Sequence, residues 1–338
     1  MGRLGISPRA YRQITLVAAI LLAAIIVTGA AVRLTGSGLG CPDWPNCTNG
    51  HLTSGASHSV HANIEFANRV VTGLVSLAVI VAVLGSMIRR PRRRDLVWLS
   101  LGLVVGLIGQ ILLGALVVEE LLDPPFVMGH FLLSALLLAD AIVLYHRAGI
   151  PDDARSRPSV RRGTLWLGRL LVLSASVVLV TGTVVTGSGP HSGDAGSNAR
   201  LKATRLDFRV PEVARIHGTS VMVFLGLTLV TLWVVSRDPG ARRVMQRVGL
   251  LLVLLVAQAA LGYTQYFNGV PAILVGFHVA GATAVFSATI AVLLGMYEAV
   301  PRRRGLAPPE PVADLARPAA PPPVADPANV AGMVVPPQ

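Results

Sequence analysis

The sequence predicts an all-α membrane protein with eight transmembrane helices, arranged as two tandem four-helix bundles that form an internal repeat. Three observations carry this prediction: the composition, the number of long apolar stretches, and the repeat itself. Of the 338 residues, 53% are hydrophobic and only 14% are charged. Soluble domains contain about 25% charged residues, so this balance favours a protein whose surface faces lipid.

Eight apolar stretches are long enough to cross a bilayer as helices. They cover about residues 14–34, 63–88, 96–118, 126–146, 165–187, 212–235, 248–267 and 271–297. The last two are separated only by "NGVP" (268–271), which is a turn signal. The N-terminal stretch has no small-residue cleavage site of a signal peptide, so we predict that it is a retained helix.

The arginines predict the orientation of these helices. The net charge is +12, and most arginines lie in the N-terminal segment, in the loops after helices 2, 4 and 6, and in the tail. The positive-inside rule then places both termini in the cytoplasm and the chain in the cell membrane. Membrane topology accounts for this basic charge, so we predict no nucleic-acid partner. The basic loop 200–209 is an exception, and either solvation or anion binding would explain it.

Matching motifs at matching spacing indicate the repeat. "TGAAVRLTGSG" (28–38) ends helix 1 and "TGTVVTGSG" (181–189) ends helix 5. Likewise "QILLG" (110–114) precedes His130 as "QAALG" (258–262) precedes His278, each with 20 residues from glutamine to histidine. The predicted division of the chain is an N-terminal tail 1–13, a first bundle 14–147, a linker 148–164, a second bundle 165–300 and a disordered Pro/Ala-rich tail 301–338.

Four histidines begin the even-numbered helices and therefore lie at similar depth near the outer face: His61, His130, His217 and His278. One such histidine could simply bond a neighbouring carbonyl, but two per bundle at one depth are typical of axial haem ligation. A zinc site would need three or four converging ligands, which the surrounding sequence does not supply. The sequence therefore predicts a haem in each bundle.

Repeat spacing makes Asn68, rather than His61, the counterpart of His217. From His217 to His278 is 61 residues, whereas Asn68 precedes His130 by 62 and His61 precedes it by 69. Glu65 lies between His61 and Asn68, on the same helix face. This asymmetry predicts an electron-transfer haem in the second bundle and a reacting haem beside Glu65 in the first. An ion pair of Glu65 with Arg69 at i+4 is the structural alternative.

Two further groups of residues could belong to the sites. Arg33, Arg69 and Arg215 lie near the outer layer and could pair with haem propionates, although snorkelling at helix ends explains them equally well. Cys41 and Cys47 are the only cysteines and lie in the first external loop, where a disulfide is the simplest pairing. Two free thiols and a redox-active exchanging pair are the alternatives.

The motifs "GAAVRLTGSGLGCPDWPNC" (29–47), "IEFANR" (64–69) and "HFLLSALL" (130–137), with the second-half repeat, resemble the haem A synthase family over about residues 14–297. The resemblance implies an oxidoreductase that converts haem O to haem A for terminal oxidases. It implies that the C8 methyl of the porphyrin becomes a formyl group by successive oxidations. It also implies haem B on His217 and His278, haem O in the first bundle, catalysis by Glu65, and a cysteine pair at Cys41 and Cys47.

One departure from the family pattern concerns the first haem. The family commonly has Glu-x-x-His-Arg in helix 2, whereas this chain has Glu65-Phe-Ala-Asn68-Arg69. We expect His61 to supply the missing ligand from two turns further out; the alternative is that His130 holds the iron alone. A second cysteine pair, present in some relatives after helix 5, is absent.

The expected partners are haem O, membrane lipids, haem O synthase and an electron acceptor, and a homo-oligomer is compatible with the sequence. Two other functions compete with this interpretation. A non-catalytic dihaem cytochrome b would hold chemically unaltered haem in both bundles. A transporter would use the histidines in a proton or metal path, although transporters usually have broken helices near the midplane.

Overall fold

Long helices make up almost all of the chain that the structure describes. A computed structural model describes residues 5–41, 46–47, 51, 60–191 and 204–301. The helices are α1 (Pro8–Leu34), α2 (Val60–Ile88), α3 (Arg94–Glu119), α4 (Pro124–Ala148), α5 (Arg162–Ser188), α6 (Val210–Ser236), α7 (Arg242–Phe267) and α8 (Ala272–Gly295). All eight are long and apolar enough to cross a membrane. The predicted all-α membrane fold with eight spanning helices is therefore confirmed.

The helix bounds differ from the predicted ones mainly where polar turns extend the helices. The helix α1 begins at Pro8, six residues before the apolar stretch, because the Ser7 side chain caps it by accepting a hydrogen bond from the Ala10 N–H (3.2 Å). A single 3-10 turn, Pro239–Ala241, precedes α7. The predicted disordered tail lies outside the described residues, apart from Pro301.

The helices pack as two rings of four. Contacts join α1–α2–α3–α4 in one closed ring and α5–α6–α7–α8 in another, and α1, α4, α5 and α8 form the contacts between the rings. The buried apolar side chains fall into two main clusters, one mostly from each ring. Residues up to Val300 nevertheless form one compact unit.

A short two-stranded sheet was not predicted. The strand β1 (Ala154–Pro158) lies in the segment predicted as a linker, and it pairs with β2 (Tyr297–Pro301), which follows α8. The Ser159 N–H donates to the carbonyl of Met296 (2.9 Å), next to this pair. No apolar alternation marks either strand, because each satisfies its backbone at the edge of the helices rather than burying a face.

A network of arginines joins the loops at the end of the molecule that carries residues 89–94, called here the arginine-rich end. The Arg89 side chain is 1% exposed and donates from Nη2 to Asp152 Oδ1 at 2.7 Å. Arg93 donates to the Ile150 carbonyl (2.8 Å), and the Arg90 N–H donates to the Ile6 carbonyl (3.1 Å). These bonds tie the loop after α2 to the loop after α4 and to the N-terminal segment.

We expect Asp152→Ala to destabilise the protein, because it leaves the buried guanidinium of Arg89 without its carboxylate. Breaking a buried ion pair from one side costs about 3–5 kcal/mol, and the 24% exposure of Asp152 places the effect near the lower end. The measurement is the thermal unfolding midpoint in detergent. Asp153→Ala is the control, since Asp153 is exposed and makes no ion pair with the described residues. Equal midpoints for the two variants would contradict the role of the pair.

Candidate functional site

One large cavity reaches from the first ring of helices into the second. Its volume is about 1400 Å³, and residues from all eight helices line it. Pockets for ordinary small molecules have volumes of about 300–1,000 Å³, so this cavity suits a larger ligand or more than one. The lining is mostly aliphatic and aromatic, with a few polar side chains. Those from the predicted site are Arg33, Glu65, Asn68, Arg69, His130, Arg215, His217 and His278.

His130 on α4 and His278 on α8 occupy closely matching surroundings. A glutamine of the preceding helix donates to the carbonyl of each histidine: Gln110 Nε2 to His130 (3.0 Å) and Gln258 Nε2 to His278 (2.7 Å). Each imidazole also lies against a glycine of that helix. A Cβ on Gly114 would be 3.5 Å from His130 Cε1, and one on Gly262 would be 3.2 Å from His278 Cε1.

The side chains that match in sequence on α2 and α6 also have matching partners. Thr181 Oγ1 on α5 lies 3.1 Å from His217 Nδ1. In the first ring, Thr28 Oγ1 on α1 donates to Asn68 Oδ1 at 2.9 Å. Asn68 and His217 thus each meet a threonine of the preceding helix, one in each ring.

His61 lies apart from this arrangement. Its Nδ1 is 3.0 Å from Ser37 Oγ, and its backbone packs against Gly40, where any Cβ would come within 2.6 Å of the His61 carbonyl carbon. Among the described residues, those of α2 that line the cavity are Glu65, Asn68, Arg69, Thr72 and Val75, and His61 is not one of them. The structure thus brings Asn68 to the cavity and leaves His61 outside its lining, and iron ligation by His61 stays a prediction.

Glu65 forms part of a buried polar cluster with the disulfide segment. Its side chain is 9% exposed; Oε1 accepts from Arg69 Nη2 (2.7 Å), and Oε2 accepts from the Cys41 N–H (2.8 Å). Arg69 also donates to the carbonyls of Cys41 (3.0 Å) and Asn46 (2.7 Å). Cys41 and Cys47 form a disulfide. The predicted disulfide and the predicted i+4 ion pair are therefore both present, and they are joined through the backbone of Cys41.

The other cavity arginines differ in their contacts. Arg33 donates from Nε to the carbonyl of His191 (2.5 Å), and His191 Nε2 lies 2.9 Å from the carbonyl of Val270. His191 therefore connects the end of α1 to the turn between α7 and α8. Arg215 is exposed on α6 and also lines the cavity.

These residues fit a haem better than a metal ion held by protein alone. Among the described residues, no group of three or more His, Cys, Asp or Glu side chains could hold a metal ion. Three of the four predicted histidines instead line an apolar cavity, each with its imidazole against a glycine, and the Nδ1 atoms of His130 and His278 are buried without a described partner. A macrocycle that brings its own four nitrogen ligands needs only axial imidazoles, and guanidinium groups suit its carboxylates.

Sequence reasoning missed two kinds of site residue. Gln110 and Gln258 were used only as markers of the repeat, although each bonds the backbone of a histidine. His191 is not among the predicted site residues, yet it lines the cavity and bonds two distant segments. Its only signal was its position directly after "TGSGP", at the same end as the histidine layer.

Comparisons with curated proteins find relatives of similar length. A protein named heme A synthase from Alkalihalophilus pseudofirmus is 27% identical over 252 residues, covering 72% of this chain and 83% of that protein. A heme A synthase from Listeria welshimeri is 27% identical over 260 residues, covering 74% and 84%. One from Exiguobacterium sibiricum is 31% identical over 167 residues, covering 48% and 54%.

A family model also matches most of the chain. The model is described as cytochrome oxidase assembly protein, and it matches residues 12–290, a range that includes all eight helices at least in part. It also includes the cavity and the disulfide. The chain belongs to the cytochrome oxidase assembly protein family that this model defines.

Proposed function

We propose that this chain is a heme A synthase, a membrane oxidoreductase that oxidises haem O to haem A. The observation that carries the proposal is the matched placement of His130, His278 and His217 on one cavity, with Asn68 in the fourth position. The names of the curated relatives point to the same reaction. The finer proposal is that the C8 methyl of the porphyrin is converted to a formyl group by successive oxidations.

The two halves have different tasks in this proposal. His217 and His278 bind haem B, which relays electrons, and His130 binds the substrate haem O in the first ring. When bound, the iron of these groups supplies the redox chemistry. The protein orients the imidazoles through Gln110, Gln258 and the glycines behind the rings, and the aliphatic lining excludes water.

Glu65 is the proposed catalytic residue of the first site. It lines the cavity one helical turn before Asn68, and its two oxygens are held by Arg69 and the Cys41 N–H. A carboxylate fixed in this way can accept a proton from the substrate or stabilise positive charge that develops at the methyl carbon. Arg33 and Arg215 are the proposed partners of the haem carboxylates.

The proposed location follows from the arginine-rich end. The loops that carry residues 89–94 and 147–162 lie at this end. The positive-inside rule places this end on the cytoplasmic side of the cell membrane. The disulfide and the histidine layer then lie near the opposite, oxidising side. Haem O would be supplied by haem O synthase, and a membrane redox partner would accept the electrons removed from the methyl group.

The histidines should determine haem content. We expect about two haems per wild-type chain, and about one in His130→Ala or in the double variant His217→Ala/His278→Ala, because each change removes every histidine ligand of one haem. The measurement is the haem-to-protein ratio of purified full-length chain by the pyridine haemochrome assay. His146→Ala is the control, since His146 also lies on α4 but does not line the cavity. Wild-type protein without haem would favour a transporter and overturn the proposal.

Removing the charge of Glu65 should block conversion without removing haem. We expect Glu65→Gln to retain both haems and to lower haem A output by about 10²-fold or more, because the amide cannot accept the proton. The measurement is mass analysis of extracted haem after co-expression with a haem O source. Glu212→Gln is the matched control, since Glu212 forms an exposed pair with Arg209 outside the cavity. Normal haem A output from Glu65→Gln would show that Glu65 is not needed for the reaction. If the wild type yielded only chemically unaltered haem, a non-catalytic dihaem cytochrome b would be favoured.

The disulfide should act through Glu65. We expect Cys41→Ser/Cys47→Ser to lower haem A output while haem B stays bound, because the freed segment no longer holds the Cys41 N–H against Glu65 Oε2. The same extraction assay measures the effect. A reducing agent applied to the wild type should reproduce it, since the chain has no other cysteine. Unchanged output in both experiments would show that Glu65 does not depend on the disulfide.

A further inference from the structure

We propose that the first-ring haem is held by His130 alone and that its other axial position, beside Asn68, binds a small diatomic molecule such as oxygen or carbon monoxide. This inference rests on the proposed function, because it requires a haem in the first ring. It starts from a position at which the two rings present different side chains to matching partners. Thr181 contacts the imidazole of His217, whereas Thr28 contacts the side-chain amide of Asn68.

An amide is a poor substitute for imidazole as a ligand. Haem iron in proteins is held by His, Met, Cys or Tyr side chains, and a neutral asparagine amide is not among these ligands. Asn68 is also shorter than histidine, so its polar atoms stop nearer the α2 backbone. A haem in the first ring of helices therefore lacks the ligand that His217 would provide to a haem in the second.

The space beside Asn68 supports this reading. In the second ring, a Cβ on Gly182 would come within 3.1 Å of His217 Cε1, so the imidazole occupies the space next to that glycine. Gly29, one residue after Thr28 as Gly182 is one residue after Thr181, would meet nothing within 4 Å. Both Gly29 and Asn68 line the cavity. The first ring thus has room for an additional small ligand, or for an imidazole introduced at position 68.

Among the described residues, none accepts a hydrogen bond from the side-chain amide group of Asn68. Its Oδ1 accepts from the Thr28 hydroxyl, which leaves the Nδ2 group to donate. A hydrogen bond from an amide to a diatomic ligand polarises it and restrains its orientation. Asn68 is then a positioning residue for the exogenous ligand rather than a ligand of the iron.

His61 does not fill the open position in this arrangement. Seven residues along an α-helix separate His61 from Asn68 by about 10 Å. Its imidazole is 3.0 Å from Ser37 Oγ, and Gly40 packs directly on its backbone. Turning the His61 ring toward the cavity would break its contact with Ser37 Oγ, and the packing of Gly40 fixes the backbone from which that ring extends.

The test is carbon monoxide binding to the reduced, full-length protein, read from the Soret band after the haem content has been measured. We expect about half of the haem to bind carbon monoxide in the wild type, because bis-histidine ligation closes the second site. Asn68→His should keep both haems and abolish binding, since the new imidazole occupies the space beside Gly29. His217→Asn is the matched variant: it copies the first-ring arrangement into the second ring and should open that haem as well.

Further variants separate the competing arrangements. His61→Ala should leave carbon monoxide binding unchanged. Asn68→Ala should retain binding and shift the C–O stretching band, because the amide donor is lost. The proposal is overturned if a wild type with two haems binds no carbon monoxide, if His61→Ala is required to open the site, or if Asn68→His binds as the wild type does. An unshifted band in Asn68→Ala would overturn the donor role of Asn68.

The haem measurement distinguishes failure of this inference from failure of the proposed function. Wild-type protein that contains no haem would contradict both the proposed function and this inference. If the protein contains two haems and makes haem A but binds no carbon monoxide, the proposed function stands. Only the open coordination position is then contradicted.

Discussion

Hydrocarbon offers no hydrogen bonds, and this constraint underlies the whole arrangement of the chain. Polar side chains within the helices must find partners inside the protein, so Thr72 and Thr219 bond carbonyls of their own helices, and Gln110 and Gln258 bond those of neighbouring helices. The polar side chains of the proposed site are therefore gathered at the cavity. Large side chains that face outward are mostly apolar, such as Trp98, Val105 and Ile273.

The two rings of helices are alike in how they hold the side chains that line the cavity. Each ring uses a glutamine to bond the backbone of a histidine, a glycine to receive its imidazole, and a threonine to bond the side chain opposite. Against this common frame, the differences are few. The first ring has Asn68 in place of an imidazole and adds Glu65 with its arginine and disulfide contacts. The proposed division between a relay and a reacting site rests on these differences.

Much of the site could be predicted from the sequence because its residues are spaced by helix and repeat geometry. The equivalence of Asn68 and His217 followed from a residue count, and the cysteine pair followed from number and location. The contact between Cys41 and Glu65 could not be predicted, because it joins a loop backbone to a helix 24 residues away. The same holds for His191, whose partners lie 158 and 79 residues away in the chain. The β1–β2 pair lacked apolar alternation, so no periodicity indicated it.

The sequence by itself determined the membrane class and the eight long apolar helices, because hydrophobic length and helical period are local properties. Only the tertiary structure decided which polar residues meet. His61 and Asn68 share a helix face and both precede a histidine in α4, so periodicity could not choose between them as neighbours of the cavity. Packing of the loop after α1 against the start of α2 decided it: Ser37 and Gly40 hold His61, and Asn68 faces the cavity beside Thr28.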